Sequence, residues 1–403
     1  MDQVDTEVLI IGAGACGLLL AQGLKSAGIP YTVFEGETAE SIKTRSRHWG
    51  MNLHWGGEYL DKVLSPELKA RLRECNCDPF YEGADNTYTV CNGKTGEVIL
   101  AMQGVMPRRV SRRKLKALLS EGIDIQYGRK LVSIHKEFPG RVTACFEGDF
   151  KAVGSNLIGC DGSRSRVREF LVGTENARPI GTDISILNFP YSYTAEQARE
   201  LRGVHPIIKI AYHPEHGNVY LLAILEVEDP DKPEDWKYQS AITWKGPPSV
   251  EDLEDPRDRV KYVKKIAAEY ADPWRTAGTA ISDDAVLPLN RGTYWMPKDW
   301  DNRDGTITLA GDAAHPMLPH RGQGLNHALQ DAALLVQAME SVHNGKKSLA
   351  EAIGEYETEM RPRACQEVQL TLEQAHASHD WELLMQSPIF KLGVNKPTAE
   401  KET

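Results

Sequence analysis

Two glycine-rich turns hold the residues of this sequence best suited to chemistry. The first sets Gly12, Gly14 and Gly17 in a G-x-G-x-x-G spacing directly after the apolar run Val8-Leu-Ile-Ile11. The second runs from Gly311 and Asp312 through His315, Pro319 and His320 to Gly322-Gln-Gly324-Leu325. Each lies between residues patterned as a short buried strand and residues patterned as a helix. Such a turn leaves backbone N–H groups free at a helix N-terminus, where negative charge is favoured. Asp312 closes its strand, next to whatever binds there. Three further side chains, Arg47, His48 and His54, are expected to form the polar wall of a pocket together with His320. A neutral imidazole or a guanidinium there would favour ionisation of a hydroxyl-bearing ligand.

The elements around the first turn make a βαβ unit. The strand at 8–11 leads into a helix over 18–27, which Gly28-Ile-Pro30 ends, and Tyr31-Thr-Val-Phe34 forms the second strand, closing with Glu35. Gly12 permits the turn, Gly14 lets the backbone approach a pyrophosphate, and Gly17 lets helix and strand pack closely. Glu35 is placed to accept ribose hydroxyls, and an acid there prefers a 2′-OH to a 2′-phosphate. The bound dinucleotide is therefore FAD or NAD rather than NADP. Farther on, Asn156-Leu-Ile-Gly-Cys reads as a strand ending at Asp161-Gly162, and Ser165 can cap the helix that follows. Ser111 opens a basic helix over 110–119.

Taken together, these motifs resemble those of the class A FAD-dependent monooxygenases, the aromatic-hydroxylase (salicylate-hydroxylase-like) superfamily. The matching segments are G-x-G-x-x-G with Glu35, R-x-x-L-x-x-x-L at Arg112, Leu115 and Leu119, D-G-x-x-S-x-V-R at Asp161, Gly162, Ser165 and Arg168, and G-D-A-A-H…P-x-x-G-Q-G from Gly311. They stand in the family's order and cover about residues 5–175 and 280–365. The resemblance implies FAD held by Gly12, Gly14, Gly17, Glu35, Arg47, Gly50, Arg112, Asp161, Gly162, Asp312, Pro319, Gly322, Gly324 and Leu325. It also implies NAD(P)H as co-substrate, O2, and oxygen transfer through a flavin C4a-hydroperoxide. Catalytic roles then fall to Arg47, His54 and His320. The loop H-W-G-M-N-L-H-W at 48–55 points to a fungal secondary pathway.

The net charge of −10 over 403 residues argues against nucleic-acid binding or adhesion to acidic membranes. Seven scattered cysteines carry neither a C-x-x-C nor a zinc spacing, so reduced thiols, no metal and a cytoplasmic setting are expected. The apolar run at 8–24 has an acidic flank and three interrupting glycines, so no membrane span is expected.

The fold class implied is α/β: a Rossmann-like FAD-binding domain with an inserted, mainly antiparallel substrate sheet and C-terminal helices. Residues 1–178 and 289–345 would form the first, 179–288 the second, and 346–403 the helices and a polar tail. Alternating segments at 207–212, 218–227 and 239–244 are the strands, with Tyr212, Tyr220 and Trp244 as candidates to face the substrate. Three functions stay open: a hydroxylase of an aromatic or enolic small molecule; an epoxidase or ring-oxidising monooxygenase acting on, for example, a polyene; and a flavin-binding oxidase, non-redox cyclase or sensor.

Overall fold

The computed structural model describes residues 3–5, 7–44, 48–83, 87–103, 108–138 and 140–392. Arg47 and the polar tail at 395–403 lie outside these.

Val8–Ile11 is apolar throughout and buried at all four positions, as a strand covered on both faces must be. It is the centre of a five-stranded parallel sheet in the order Ile307–Leu309, Asn156–Gly159, Val8–Ile11, Tyr31–Glu35, Ile125–Tyr127. The helices Ala15–Ala27 and Gly324–His343 pack on each other and into the same core. A four-stranded sheet, ordered Gln3–Asp5, Lys151–Gly154, Arg141–Phe146, Leu131–Phe138, joins through ring contact of Phe34 with Phe146 at 4.6 Å. Both glycine-rich turns thus leave the same end of one parallel sheet, at the carboxyl ends of two strands that flank Asn156–Gly159, where open α/β sheets bind ligands.

The second large element is a seven-stranded sheet in the order Leu289–Tyr294, Ile180–Ser192, Lys237–Lys245, Val219–Glu226, Ile208–Tyr212, Thr87–Asn92, Val98–Gln103. It is antiparallel except where Ile208–Tyr212 meets Thr87–Asn92. The sheet expected over 179–288 therefore recruits two strands from 87–103 and a third from 289–294. The first two form a local hairpin, but Thr87–Asn92 joins the sheet through Ile208–Tyr212 and Leu289–Tyr294 through Ile180–Ser192, both far along the chain, so nothing local marks them as members.

The two faces of this sheet differ. Tyr220, Leu222, Tyr238, Ile242 and Trp244 bury themselves under the helices Pro256–Ala267 and Trp274–Thr279. On the opposite face, Asn188, Ala241 and Leu221 are direct cross-strand neighbours, and all three are only half-buried. They leave an open strip in mid-sheet. Tyr220 and Trp244 are thus plain core, turned from the strip by the two-residue period of the strand. Tyr212 is on the strip's side but packed in a cluster with Val219 and Leu384.

Ser348 opens the long helix Leu349–Ala377 with a capping box to Glu351. Its first half buries Ile353, Tyr356 and Met360 in the dinucleotide domain. Its far end carries Ala375 against Ile184 and Leu318, and the short helices Trp381–Leu384 and Pro388–Leu392 follow. One helix therefore ties both sheets together. Among the described residues no helix is long and apolar enough to cross a membrane.

Candidate active site

A cavity of about 360 Å³ opens at the first turn, lined by Gly12, Gly14, Glu35, Arg112, Asp161 and Gly162 among others. Gly12 takes φ +108, and a Cβ there would stand 2.3 Å from the Cys160 carbonyl oxygen. A Cβ on Gly17 would stand 2.2 Å from the Gly12 carbonyl oxygen, whereas one on Gly14 meets no protein atom within 4 Å. The first and third glycines thus serve the fold, and the second borders empty space. The helix Ala15–Ala27 begins there with no side-chain cap and no acid in its first turn. The Glu35 carboxylate is fixed by the N–H of Ala13 and that of Glu37, each donating at 3.0 Å, with lone pairs left for a ribose diol. Lys116, Arg129, Lys130, Arg164 and Arg166 add positive charge to the wall. Open room at Gly14, bare helix N–H groups, a fixed acid and a basic wall fit the pyrophosphate and adenosine of FAD.

Asp161 lines this cavity, but its carboxylate is spent within the chain. It accepts from Ser165 Oγ at 2.5 Å and from the N–H groups of Arg166 (2.7 Å) and Val167 (3.3 Å), capping the helix Arg166–Val172. Burial raises its carboxyl above the ordinary value, and these bonds pull it back. Arg168, fully buried, donates to the carbonyls of Ala177 (2.9 Å), Ala313 (2.8 Å) and Ser163 (2.5 Å) and lies over the Trp295 ring at 4.9 Å. It holds the turn after Asp161 against the turn after Gly311.

The second turn rests on buried ion pairs. Asp331 accepts from the Gly311 N–H (2.8 Å), from His315 Nε2 (2.6 Å) and from Arg363 Nη2 (2.7 Å). Burial alone would raise the Asp331 carboxyl, but His315 and Arg363 hold it far below the usual carboxylate range. Arg363 reaches on to His327 at 2.8 Å, and Arg321 donates to Glu367 at 2.8 Å. All of these charges are paired, as their burial requires. Asp312, by contrast, is exposed. Its Oδ1 lies 3.9 Å from where a Cβ on Gly324 would sit, facing the start of the helix Gly324–His343, whose first turn has no acid and no side-chain cap. Protein crowded around the Asp312 carboxyl raises it, and His315, Arg112 and Arg168 counter that. Pro319 is exposed, and Gly322, Gly324 and Leu325 are half-buried along the same rim.

Asn326 joins this rim to the strand Gly50–Leu53. Its Oδ1 accepts from the N–H of His54 (2.9 Å) and of Gly56 (3.1 Å), while its Nδ2 donates to the carbonyls of Asn52 (3.2 Å) and Gly322 (3.1 Å). Gln239 of the large sheet holds the same strand from the other side. Its Oε1 accepts from the Gly50 N–H (2.8 Å) and from Arg109 (2.6 Å), and Arg109 also donates to Asn52 Oδ1 at 2.7 Å. The buried Arg109 guanidinium thus gives its two Nη groups to neutral amides, and its Nε is buried without a partner. Arg112 sits over the Trp49 ring at 4.9 Å.

The predicted histidines separate. His54 Nε2 is buried without a partner beside Gly322, and burial, helped by Arg321, lowers the imidazole to about 4. His320 reaches Thr243 Oγ1 at 3.3 Å and meets the His379 ring edge-on at 5.5 Å. Burial lowers it well below its ordinary value. His48 instead faces Glu226 at 4.0 Å, in a corner that Glu226 shares with Arg113 and Lys237. The sequence itself marks Asn326 and Asp331, in an N-x-A-x-x-D-A pattern on the helix after Gly324, Arg363, at the end of the segment Y-E-T-E-M-R-P-R, and Arg109, in a basic cluster with Arg108, but it assigns none of them a role. Gln239 and Thr243 carry no signal of their own.

The sequence matches the family described as FAD binding domain over residues 5–50 and 107–371. It is 36% identical over 396 residues to the FAD-dependent monooxygenase phnB of Penicillium herquei, covering 98% of this chain and 96% of that one. It is 34% identical over 398 residues to the FAD-dependent monooxygenase cctM of Talaromyces islandicus, covering 96% and 97%. Among solved structures, Klebsiella pneumoniae HpxO complexed with FAD and uric acid superposes with a TM-score of 0.75 at 19% identity, over 96% of each chain. The 2,6-dihydroxypyridine-3-hydroxylase of Arthrobacter nicotinovorans does so with a TM-score of 0.72 at 16% identity, over 98% and 99%. At those identities the solved structures speak for the fold.

Proposed function

Because the chain belongs to the FAD binding domain family and is an FAD-dependent monooxygenase, we propose that it consumes NAD(P)H and O2 to place one oxygen atom on an aromatic or enolic small molecule. Bound FAD supplies the redox chemistry, accepting hydride from the nicotinamide and activating O2. The chain's residues bind, orient and shield. Gly14, Glu35 and Arg112 hold the dinucleotide, and the open helix start at Gly324 favours negative charge on the flavin ring. Gly50, Gly322, Leu325 and Asp312 would hold the rest of the cofactor along the same rim.

The observation that carries the substrate reading is the open strip at Asn188, Ala241 and Leu221, on the sheet face whose Gln239 is bonded to Gly50. A flat ring fits between a sheet face and the flavin. The groups at hand are neutral imidazoles, His54 and His320, and one cation without a carboxylate, Arg109. Neutral imidazoles accept a hydroxyl proton, and a cation steadies the resulting oxyanion. The fungal relatives support a secondary-metabolite intermediate as substrate.

The test is a screen of phenols, enols and alkenes for accelerated NADH or NADPH oxidation by the FAD-loaded protein under 18O2. The expected result is a product heavier by one labelled oxygen from a phenol or enol. Labelled product from alkenes alone would replace hydroxylation with epoxidation, and coenzyme oxidation yielding only hydrogen peroxide from every compound would refute the proposal.

A further inference from the structure

The hydroxyl of Thr243 stands between two imidazoles, with His320 Nε2 at 3.3 Å and His379 Nε2 at 3.4 Å. The proton positions in this chain follow from one neighbour. His379 Nδ1 lies 2.7 Å from the carbonyl oxygen of Gly217. A carbonyl only accepts, so Nδ1 carries the hydrogen. A neutral imidazole then presents a bare Nε2, and the single Thr243 hydrogen goes to it. Thr243 Oγ1 has lone pairs left and accepts from His320 Nε2–H. The remaining His320 nitrogen, Nδ1, is then a bare acceptor, and it is buried with no partner. Every donor in the series points from His320 toward His379.

The middle of the series lies beside the open strip, and its end lies near solvent. Thr243 pairs across its sheet with Ile186 and Val219, and Ala241 of the strip lies two residues back on the same face, about 7 Å away at strand spacing. His379 is half-buried next to the exposed His376. The charged and titratable groups around the series are few. His376, Lys245 and Asp183 face His379, His376 also faces His320, and Arg321 beside His320 is tied to Glu367.

We infer that His320, Thr243 and His379 form a proton relay that ionises a hydroxyl-bearing ligand lying on the Asn188–Ala241–Leu221 strip. The inference rests on the proposed reading of that strip as the substrate's place. The ligand O–H proton passes to His320 Nδ1, the Nε2 proton of His320 to Thr243 Oγ1, and the Thr243 proton to His379 Nε2. One O–H bond is lost at the ligand and one N–H bond gained at His379, with no change of oxidation state. The ligand remains as an oxyanion, and His379 returns the proton to water. His320 touches the ligand, while Thr243 and His379 act through it as positioning residues.

The test uses the full chain loaded with FAD and 4-nitrophenol as probe, whose neutral and ionised forms differ in absorbance. Bound 4-nitrophenol is expected to ionise about one pH unit below its value in buffer. Thr243→Val should abolish most of that shift while FAD content and thermal midpoint stay at wild-type values, and Thr243→Ser should restore it. Nitrogen NMR should find His379 protonated on Nδ1 and His320 on Nε2, which keeps the idea testable if the valine variant unfolds. No shift, no binding, a valine variant that equals wild type, or the reversed tautomers would each overturn the relay. Failure of the wild-type protein to retain FAD would instead overturn the reading beneath it.

Discussion

Replacing Arg168 with leucine tests whether the turn after Asp161 and the turn after Gly311 are held as one unit. The guanidinium donates to carbonyls on both sides, Ser163 and Ala177 on one and Ala313 on the other. Leucine fills part of the volume and donates nothing. A buried polar group left without its partner costs about 1–3 kcal/mol, so three carbonyls set an upper range of about 3–9 kcal/mol. Two effects reduce it. Water can reach the Ser163 end, which is half-buried, and burying a guanidinium is itself unfavourable, which is why burial lowers the Arg168 pKa to about 10. A net loss of about 3–5 kcal/mol is expected, the range for breaking a buried charged contact. Urea unfolding of the apoprotein measures it. The second reading is FAD affinity, from quenching of flavin fluorescence. With wild-type protein, FAD at a hundredfold excess over Kd adds about 2.7 kcal/mol of stability. If Arg168 couples the two turns, affinity falls at least tenfold and that increment shrinks by about 1.4 kcal/mol at the same FAD concentration. Apo stability within about 1 kcal/mol of wild type, together with unchanged affinity, would refute the structural reasoning. A large loss of stability with unchanged affinity would leave Arg168 a strut of the helix and refute the coupling.

Gly14→Val should leave apo stability near wild type, since a Cβ meets only open space, yet abolish FAD retention. Gly17→Ala should destabilise the apoprotein by at least about 2 kcal/mol, because its methyl collides with the Gly12 carbonyl; equal unfolding midpoints for the two variants would contradict that assignment. Asp312→Ala removes an exposed acid outside the buried pairs, so it should weaken FAD binding tenfold or more while apo stability changes by less than about 1 kcal/mol; a midpoint loss not restored by excess FAD would make the residue structural. His327 is buried, and burial first of all lowers its pKa to about 4, below the unfolded value of about 6.5. Between those values the unfolded chain holds the extra proton, so stability is lost as pH falls from about 6.5 toward 4, at up to about 1.4 kcal/mol per unit, and is unaffected above that window. Urea midpoints at pH 7.5, 6.5 and 5.0 should show it, and a His327→Gln variant with an unchanged slope would refute it.

The two sides of the site differ in how far they could be read from sequence, and the reason is the range of the forces that build them. The cofactor side is built by local demands. A backbone at φ +108, where a Cβ would stand 2.3 Å from the Cys160 carbonyl oxygen, admits only glycine, so Gly12 announces itself. A helix start needs an acceptor, so Ser111 and Ser165 announce themselves, and both caps form. The substrate side is built by pairs such as Gly50 with Gln239 and Arg109 with Gln239, whose partners are separated by more than a hundred residues. No spacing rule connects them. Even the facing of the strands was hidden. Val219–Glu226 reads V-Y-L-L-A-I-L-E, apolar to its last residue, because helices cover one face and the C-terminal helices cover part of the other. A strand covered on both sides has no alternation to reveal which residues point where. This is why Tyr220 and Trp244 looked eligible and Ala241 did not. The same division governs how such a chain changes its chemistry. Substitution of Gly12, Gly17 or Asp331 breaks a contact on which the fold depends. Substitution of Ala241, Leu221 or Asn188 alters the strip while every bond of the glycine-rich turns stays in place. On the proposed reading of the strip, Ala241→Leu, an intrusion at its centre, should therefore weaken acceptance of substrate, measured as substrate-stimulated coenzyme oxidation, while FAD content stays at the wild-type value; loss of FAD in that variant would refute the division.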